Sequence, residues 1–411
     1  MIESIRTATL AGLAFLAAFA AAGAAETTVP EPFRGFDNNS EFVIKYDDLT
    51  EILKTVVVDM GRSTRSVAEE APDVTGTRMK NKVKKTANEG NRFYFETFKD
   101  NEEAVQFLRE VQASLEQLPD EAPLAYFSRD EQLAYWLNLY NVTVLNEVIE
   151  EYPRQNLKRL FRGKNSMFDK KLLTVAGIPL SLNDIQFTIL KQNYDSNPLV
   201  LYGLYQGIIG GPNIRKTAYT GANVWRALEN NASEFINSNR GTYRTRGSTF
   251  RVSRFYDRSQ AYFPDFEADL SQHLLEYLYG GEKPALQAAN KVKADIDDWD
   301  VTDLGGSQRR IGGSLADSRA ALLDSVRSTV PNSNEGGGGA TLAASVGYGS
   351  SSMARKGQQM SLARIDPALL EVLQDIDDKR RRENIRRSTV TIEDVEETPE
   401  AETPAQEEQN Q

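Results

Sequence analysis

Apolar residues recur at helical spacing through the first third of the chain. Leu49, Ile52, Leu53, Val56, Val57 and Met60 share one face, which predicts an amphipathic helix. A second helix is expected after Asp100 from Ala104, Phe107, Leu108, Val111, Leu115 and Leu118. Ser128 and Glu131 read as a capping box opening a third, which carries Leu133, Trp136, Leu137, Tyr140, Val144 and Val148 and stops before Pro153. Shorter helices are predicted from Ser181 and Asp184 through Leu190, from Thr220 through Phe235, and from Asp265 to Leu278, where Gly280 and Gly281 end the last.

Strand signals are fewer. Leu172 to Val175 and Ile178 to Leu180 flank Ala176-Gly177 as a hairpin, and Thr249 to Val252 is expected to pair with Thr242 to Arg244. Val200 to Tyr205 is apolar throughout and reads as a buried strand. The pattern predicts an α+β fold: a helix-rich single domain with a small, mainly antiparallel sheet over about residues 42–280, followed by a largely disordered C-terminal tail.

The two ends read differently from this middle. Residues 1–24 hold Arg6, an apolar, alanine-rich run and a small-residue exit near Ala22-Gly23-Ala24, the pattern of a cleavable secretory signal, with a membrane anchor as the alternative. A soluble periplasmic or secreted protein is expected, with no transmembrane span after cleavage. Beyond Gly281, Asp295, Asp297, Asp298, Asp300 and Asp303 cluster and a Gly-Ser-Ala tract runs from Gly336 to Ser352, with few large apolar residues to offset the entropy of ordering. Within 281–411, a short helix over about 367–387 starts at Asp366-Pro367, aligns Leu369, Leu370, Leu373 and Ile376, and ends in arginines. It reads either as a solvated helix or as a docking helix for a partner or an anionic surface.

Composition sharpens this division. The chain has 411 residues with 48 Lys+Arg and 59 Asp+Glu, a formal charge of −11. Eight of the carboxylates lie in 391–411, which has no Lys or Arg, so the remainder carries −3. There is no cysteine and one histidine, His273. Disulfides, cysteine-based metal sites, thiol nucleophiles and two-histidine metal sites are therefore excluded. The Asp cluster fails the calcium-loop pattern, because Trp299 stands at the third alternating position and no glycine marks the turn. No cofactor is expected, and no helix-turn-helix, zinc or RNA-binding signature points to nucleic acid.

Two basic stretches stand out against the acidic total. Arg78, Lys80, Lys82, Lys84, Lys85 and Arg92 form one; Arg154, Lys158, Arg159, Arg162, Lys164, Lys170 and Lys171 form the other. Each reads as a solvated loop, or as a cationic surface for an anionic glycan, an envelope protein or the acidic tail.

Several ordered motifs resemble a family known as domain of unknown function 547. Tyr135-Trp136-Leu137-Asn138-Leu139-Tyr140-Asn141 is similar to its aromatic-Trp-Ile-Asn-Ala-Tyr-Asn helix. Thr174 to Gly177 with Leu180 to Ile185, Asn197-Pro198 through Pro212 and Arg215, Ala218-Tyr219-Thr220 with Asn223, and Val252 to Phe266 resemble its later segments in order. The departures fall on reactive groups. Where the resemblance leads one to expect glutamate and histidine, this chain has Gln186 and Phe187; Leu201 stands for a second histidine, and Gln206 and Gly211 for two cysteines, with Gly210 in place of a serine.

If the family uses such a Cys and His as nucleophile and base, this chain resembles a degenerate, non-catalytic member whose cleft binds a ligand or partner in the cell envelope. Alternatively the family's cysteines are a disulfide or plain core residues. Candidate cleft residues are Asn138, Tyr140, Asn141, Asn183, Gln206, Pro212 and Arg215, with Asn138 and Asn141 placed on one helix face to hold the backbone of a neighbouring loop. His273 is expected in a packing or surface role. The rival readings are a hydrolase or acyl transferase using Ser181 or Ser253 with Asp184 or Asp265, although no Gly-x-Ser-x-Gly elbow is present, and a structural envelope protein.

Overall fold

The longest helix forms because its sequence is apolar all round. In α3 (Arg129–Glu151), Leu133, Tyr135, Trp136, Leu137, Leu139, Tyr140 and Val142 are all fully buried, as a helix at the centre of a domain must be. Ser128 caps it, accepting from the Glu131 amide at 3.2 Å. Glu131 does not close the expected capping box. Its carboxylate is buried and accepts instead from the amides of Gly221 (3.1 Å) and Ile44 (3.4 Å), two segments distant in sequence.

This is a computed structural model, and it describes residues 28–65, 84–86, 89–99, 101–163, 166–244, 247–304, 364–365 and 382. The signal segment, Arg78, Lys80 and Lys82 of the first basic stretch, the 367–387 helix apart from Arg382 and the acidic end 391–411 lie outside the described residues. The chain divides into two units, Met1–Arg364 and Ile365–Gln411, and every element named below belongs to the first.

Two helices line α3. α1 (Asp47–Val56) buries Leu49, Ile52, Leu53 and Val56 along one stripe. It ends earlier than the apolar spacing predicts, because Val57 and Val58 leave the helix as β1 (Val57–Val58) and pair antiparallel with β2 (Arg92–Phe93). α2 (Glu102–Glu121) is capped by Asn101, and Leu115 at its core accepts a 2.9 Å hydrogen bond from the buried Tyr135 hydroxyl of α3.

The hairpin of β3 (Lys171–Val175) and β4 (Ile178–Ser181) turns at Ala176 and Gly177, both at positive φ (48° and 73°), the two-residue turn that matches strand twist. A π-helical segment, Asp184–Leu190, follows and runs on as α4 (Lys191–Asn193). The segment expected as a buried strand is instead a 3₁₀ helix, Pro198–Gly203. Asn197 caps it by accepting from the Leu199 amide at 2.9 Å, and Pro198 at its first position has φ already set for a helix.

α5 (Val224–Ile236) begins at Asn223 rather than Thr220. β5 (Thr242–Arg244) pairs antiparallel with β6 (Thr249–Ser253), as the sequence predicts. α6 (Arg254–Arg258) and α7 (Phe266–Tyr277) follow, capped by Ser253 and Asp265.

The fold continues past Gly281, where the tail was expected to begin. After α8 (Glu282–Gln287), β7 (Lys291–Ile296) joins β6 in parallel, a pairing that needs the intervening crossover through α6 to α8. Residues 298–303 then thread between three distant segments: Leu157 donates to Trp299 O, Phe93 to Thr302 O, and Ile209 to Asp300 O. Asp298, Asp300 and Asp303 are buried, and Lys84 pairs with Asp298 (2.6 Å) and Asp300 (2.7 Å). The acidic cluster is thus an internal stitch rather than part of a disordered tail, and Lys84 and the buried Arg92 are not in solvated loops. The architecture is helix-rich α+β with small, mainly antiparallel sheets. Among the described residues no helix is long and apolar enough to cross a membrane.

Candidate functional site

Asn138 and Asn141 act as backbone clamps. Asn138 donates to Tyr219 O (2.8 Å) and accepts from Tyr219 N (2.9 Å); Asn141 donates to Gly203 O and accepts from Tyr205 N, both at 2.9 Å. Each amide reproduces the two-way pairing of a β ladder, so α3 fixes the loops before and after the motif 206–212. Asn138, Asn141 and Arg215 also line one small cavity with Leu49 and Tyr219, with room for about one water molecule. Arg215 lies over the Tyr219 ring, 5.1 Å from its centroid. Asn183 is elsewhere, donating to Asp169 at 2.7 Å, and Pro212 is buried beside Asn213.

The positions that depart from the family pattern do come together. The Cβ that a side chain at Gly211 would carry lies 3.3 Å from Gln206 Cβ, so two cysteines there would be close enough for a disulfide with a small adjustment. Gln206 Oε1 accepts from Arg258 Nη2 at 2.5 Å. Gln186 donates to Ser259 Oγ at 3.3 Å, its carbonyl accepts from the Tyr262 hydroxyl at 2.6 Å, and the Phe187 ring faces Tyr262 at 6.4 Å. Gln186, Phe187 and Gln206 therefore meet the segment from Arg258 to Tyr262, and Gly211 lies beside Gln206. Leu201 is fully buried in the 3₁₀ helix.

Gly210 explains part of the change. A Cβ there would lie 2.8 Å from Asp298 O and 2.9 Å from Asp298 N, and the Gly210 amide itself donates to Asp298 O at 2.9 Å. A serine at this position would push the 298–303 stitch off the motif loop.

Arg258 was not singled out in the sequence. Its guanidinium lies 5.1 Å from the ring centroids of both Phe161 and Trp299, and burial, opposed by Tyr140, Asp257 and Asp297, pushes its pKa down to about 10. No carboxylate of the described residues is within ion-pair distance of it, and its buried Nε has no partner. The Tyr140 hydroxyl, buried and raised in pKa by desolvation, is also unpartnered and feels the charge of Arg258. Arg254, one turn earlier on α6, contacts Asp297 at 3.5 Å, and Arg162 lies over Trp299 at 5.8 Å. The signal available in sequence was modest: Arg258 sits inside the Val252–Phe266 element and at no matching motif position.

The alternative nucleophiles are occupied. Ser181 Oγ donates to Asp184 at 2.6 Å and accepts from the Asp184 amide, a reciprocal cap, while Lys171 pairs with the same carboxylate. Ser253 Oγ donates to Gly210 O (3.1 Å) and accepts from Phe255 N, and Asp265 accepts from Ala268 N as a cap. His273 is buried in an aromatic cluster with Tyr202, Phe263 and Tyr277, bonded through Nε2 to the Tyr202 hydroxyl at 2.8 Å, and burial lowers its pKa to about 4. Among the described residues no three His, Asp or Glu side chains are grouped to hold a metal ion.

The fold and site define a helix-rich α+β domain whose motif loop, held by two asparagine clamps, is paired through Gln206 with the partly buried guanidinium of Arg258. The model of a family described as protein of unknown function, DUF547, matches residues 124–236, and over that span the chain is a DUF547 family domain. The match takes in the motifs from Tyr135 to Asn223 and stops short of the Val252–Phe266 element. No curated protein and no solved structure matches the chain.

Proposed function

We propose that this protein is an exported, non-catalytic member of its family, a binding module of the cell envelope whose former reactive positions now form a ligand site around Arg258. The observation that carries this reading is the Gln206–Arg258 pair. The atom standing where a nucleophile would be expected is an amide oxygen already accepting from a guanidinium. Gln186 and Phe187, which meet Ser259 and Tyr262 just beyond Arg258, supply no group that takes a proton at neutral pH. Export rests on the leader-like residues 1–24.

The hydrolase reading would need Ser181 or Ser253 to give up a cap hydrogen bond and find a base other than the imidazole of His273, which Tyr202 holds. Incubating the purified protein with a fluorophosphonate and measuring its intact mass tests the proposal. An unchanged mass is expected; an adduct mapped to Ser181 or Ser253 would overturn it.

A further inference from the structure

The guanidinium of Arg258 is an incompletely paired donor. In an arginine, Nε–H and one Nη2–H project from the same edge as two parallel donors spaced to meet the two oxygens of a carboxylate. Gln206 offers that edge a single oxygen, which takes Nη2 at 2.5 Å, and Nε is left buried and without a partner. The guanidinium is largely withdrawn from water, with the rings of Phe161 and Trp299 beside it. Burying a cation in this way is costly unless an anion completes it. Other groups at the site have the same polarity: the Tyr140 hydroxyl has a proton to donate, and Arg162 and Arg254 stand beside Trp299 and Asp297. Asp297 is shared between Arg254 (3.5 Å) and the Trp299 indole N–H (3.0 Å), and it forms no ion pair with Arg258.

We propose that Arg258, with Gln206 and Tyr140, forms a binding site for a carboxylate-bearing ligand, the carboxylate taking the Nε–H edge of Arg258. This rests on the reading of the cleft as a binding site. The ligand's carboxylate has two sources of the same chemistry, a small free organic acid or a uronate residue of an acidic glycan. A planar carboxylate fits the guanidinium fork in a way that a neutral sugar does not.

Glucuronate, acetate and glucose are titrated into the full-length protein labelled with ¹⁵N-arginine, following the arginine Nε–H signals at low ionic strength, and affinities are measured by calorimetry. The Arg258 Nε–H signal, assigned by its loss in Arg258→Gln, is expected to shift with glucuronate and stay unmoved with glucose. A response to acetate equal to that with glucuronate identifies the site with small acids; a stronger response to glucuronate identifies it with uronates.

Arg258→Gln is expected to weaken binding by at least about tenfold, the loss of one charge-assisted hydrogen bond from Nε–H to the carboxylate. Because that variant also empties a packed position, Gln206→Glu is the second test. It supplies the missing oxygen internally, so it should raise the melting temperature while abolishing glucuronate binding. A wild-type signal unmoved by either acid, or binding that survives Gln206→Glu unchanged, would overturn the proposal. Neither result would touch the non-catalytic reading, which stands or falls on the covalent labelling.

Discussion

His273 gives the fold a pH dependence that one residue accounts for. Its pKa is lowered by burial from 6.5 to about 4. In the unfolded chain the imidazole takes a proton near its ordinary pKa, whereas in the folded protein it resists until about pH 4, so between these values the unfolded state binds more protons. The contribution is therefore fully present above pH 6.5 and is lost as pH falls towards 4. The full span corresponds to about 3 kcal/mol, and about 2 kcal/mol of it is lost by pH 5. Glu234, raised to about 7 by burial against the lowering effect of Arg240, acts with the opposite sign over part of this range. The comparison must therefore be with a variant and not with wild type alone. Urea unfolding of wild type and His273→Gln at pH 8 and pH 5 should show wild type losing about 2 kcal/mol more than the variant on acidification. As the single imidazole in the chain, His273 also reports directly by NMR. Equal losses in the two proteins, or an imidazole titrating near pH 6.5, would refute the placement of His273 in the core.

Further substitutions probe the packing round the motif loop. Gly210→Ser should destabilise by about 1–3 kcal/mol, because its Cβ meets the Asp298 backbone; thermal melts that coincide with wild type would show that the stitch can move aside. Gln206→Cys with Gly211→Cys should form a disulfide on mild oxidation, seen as a loss of two hydrogens by mass spectrometry, given the 3.3 Å between the Cβ positions. Arg364 makes a bidentate pair with Asp48, both distances 2.6 Å and both side chains almost fully buried. Asp48→Asn should cost about 3–5 kcal/mol, and Asp48→Leu combined with Arg364→Met should cost clearly less than the sum of the single changes, by denaturant unfolding.

What could be read from the sequence was local. The stripe of α1, the Ser128 cap, the Ala176-Gly177 turn and the Asp265 cap each depend on residues within one or two turns of one another, and each is found in place. What was misread depends on distant partners. Asp298 and Asp300 look like a solvated acidic run until Lys84, more than two hundred residues away, is placed between them. The 281 boundary failed for the same reason, since β7 is stabilised by pairing with β6 and not by its own pattern. Val200 to Tyr205 is apolar enough for a buried strand or a buried helical turn, and the Asn197 cap decided between them. At the site, the departures at Gln186, Phe187, Gln206 and Gly211 were visible as substitutions. The contact of Gln206 with Arg258, and of Gln186 and Phe187 with Ser259 and Tyr262, was not, because a lone arginine gives no sign of which ring faces or amide it will meet.

A crystal structure of the protein grown with glucuronate tests the central claim most directly. The account predicts carboxylate density against the Nε–H edge of Arg258, with Gln206 still on Nη2. Nε left without the sugar acid, or glucuronate held only at residues away from Arg258, would contradict it.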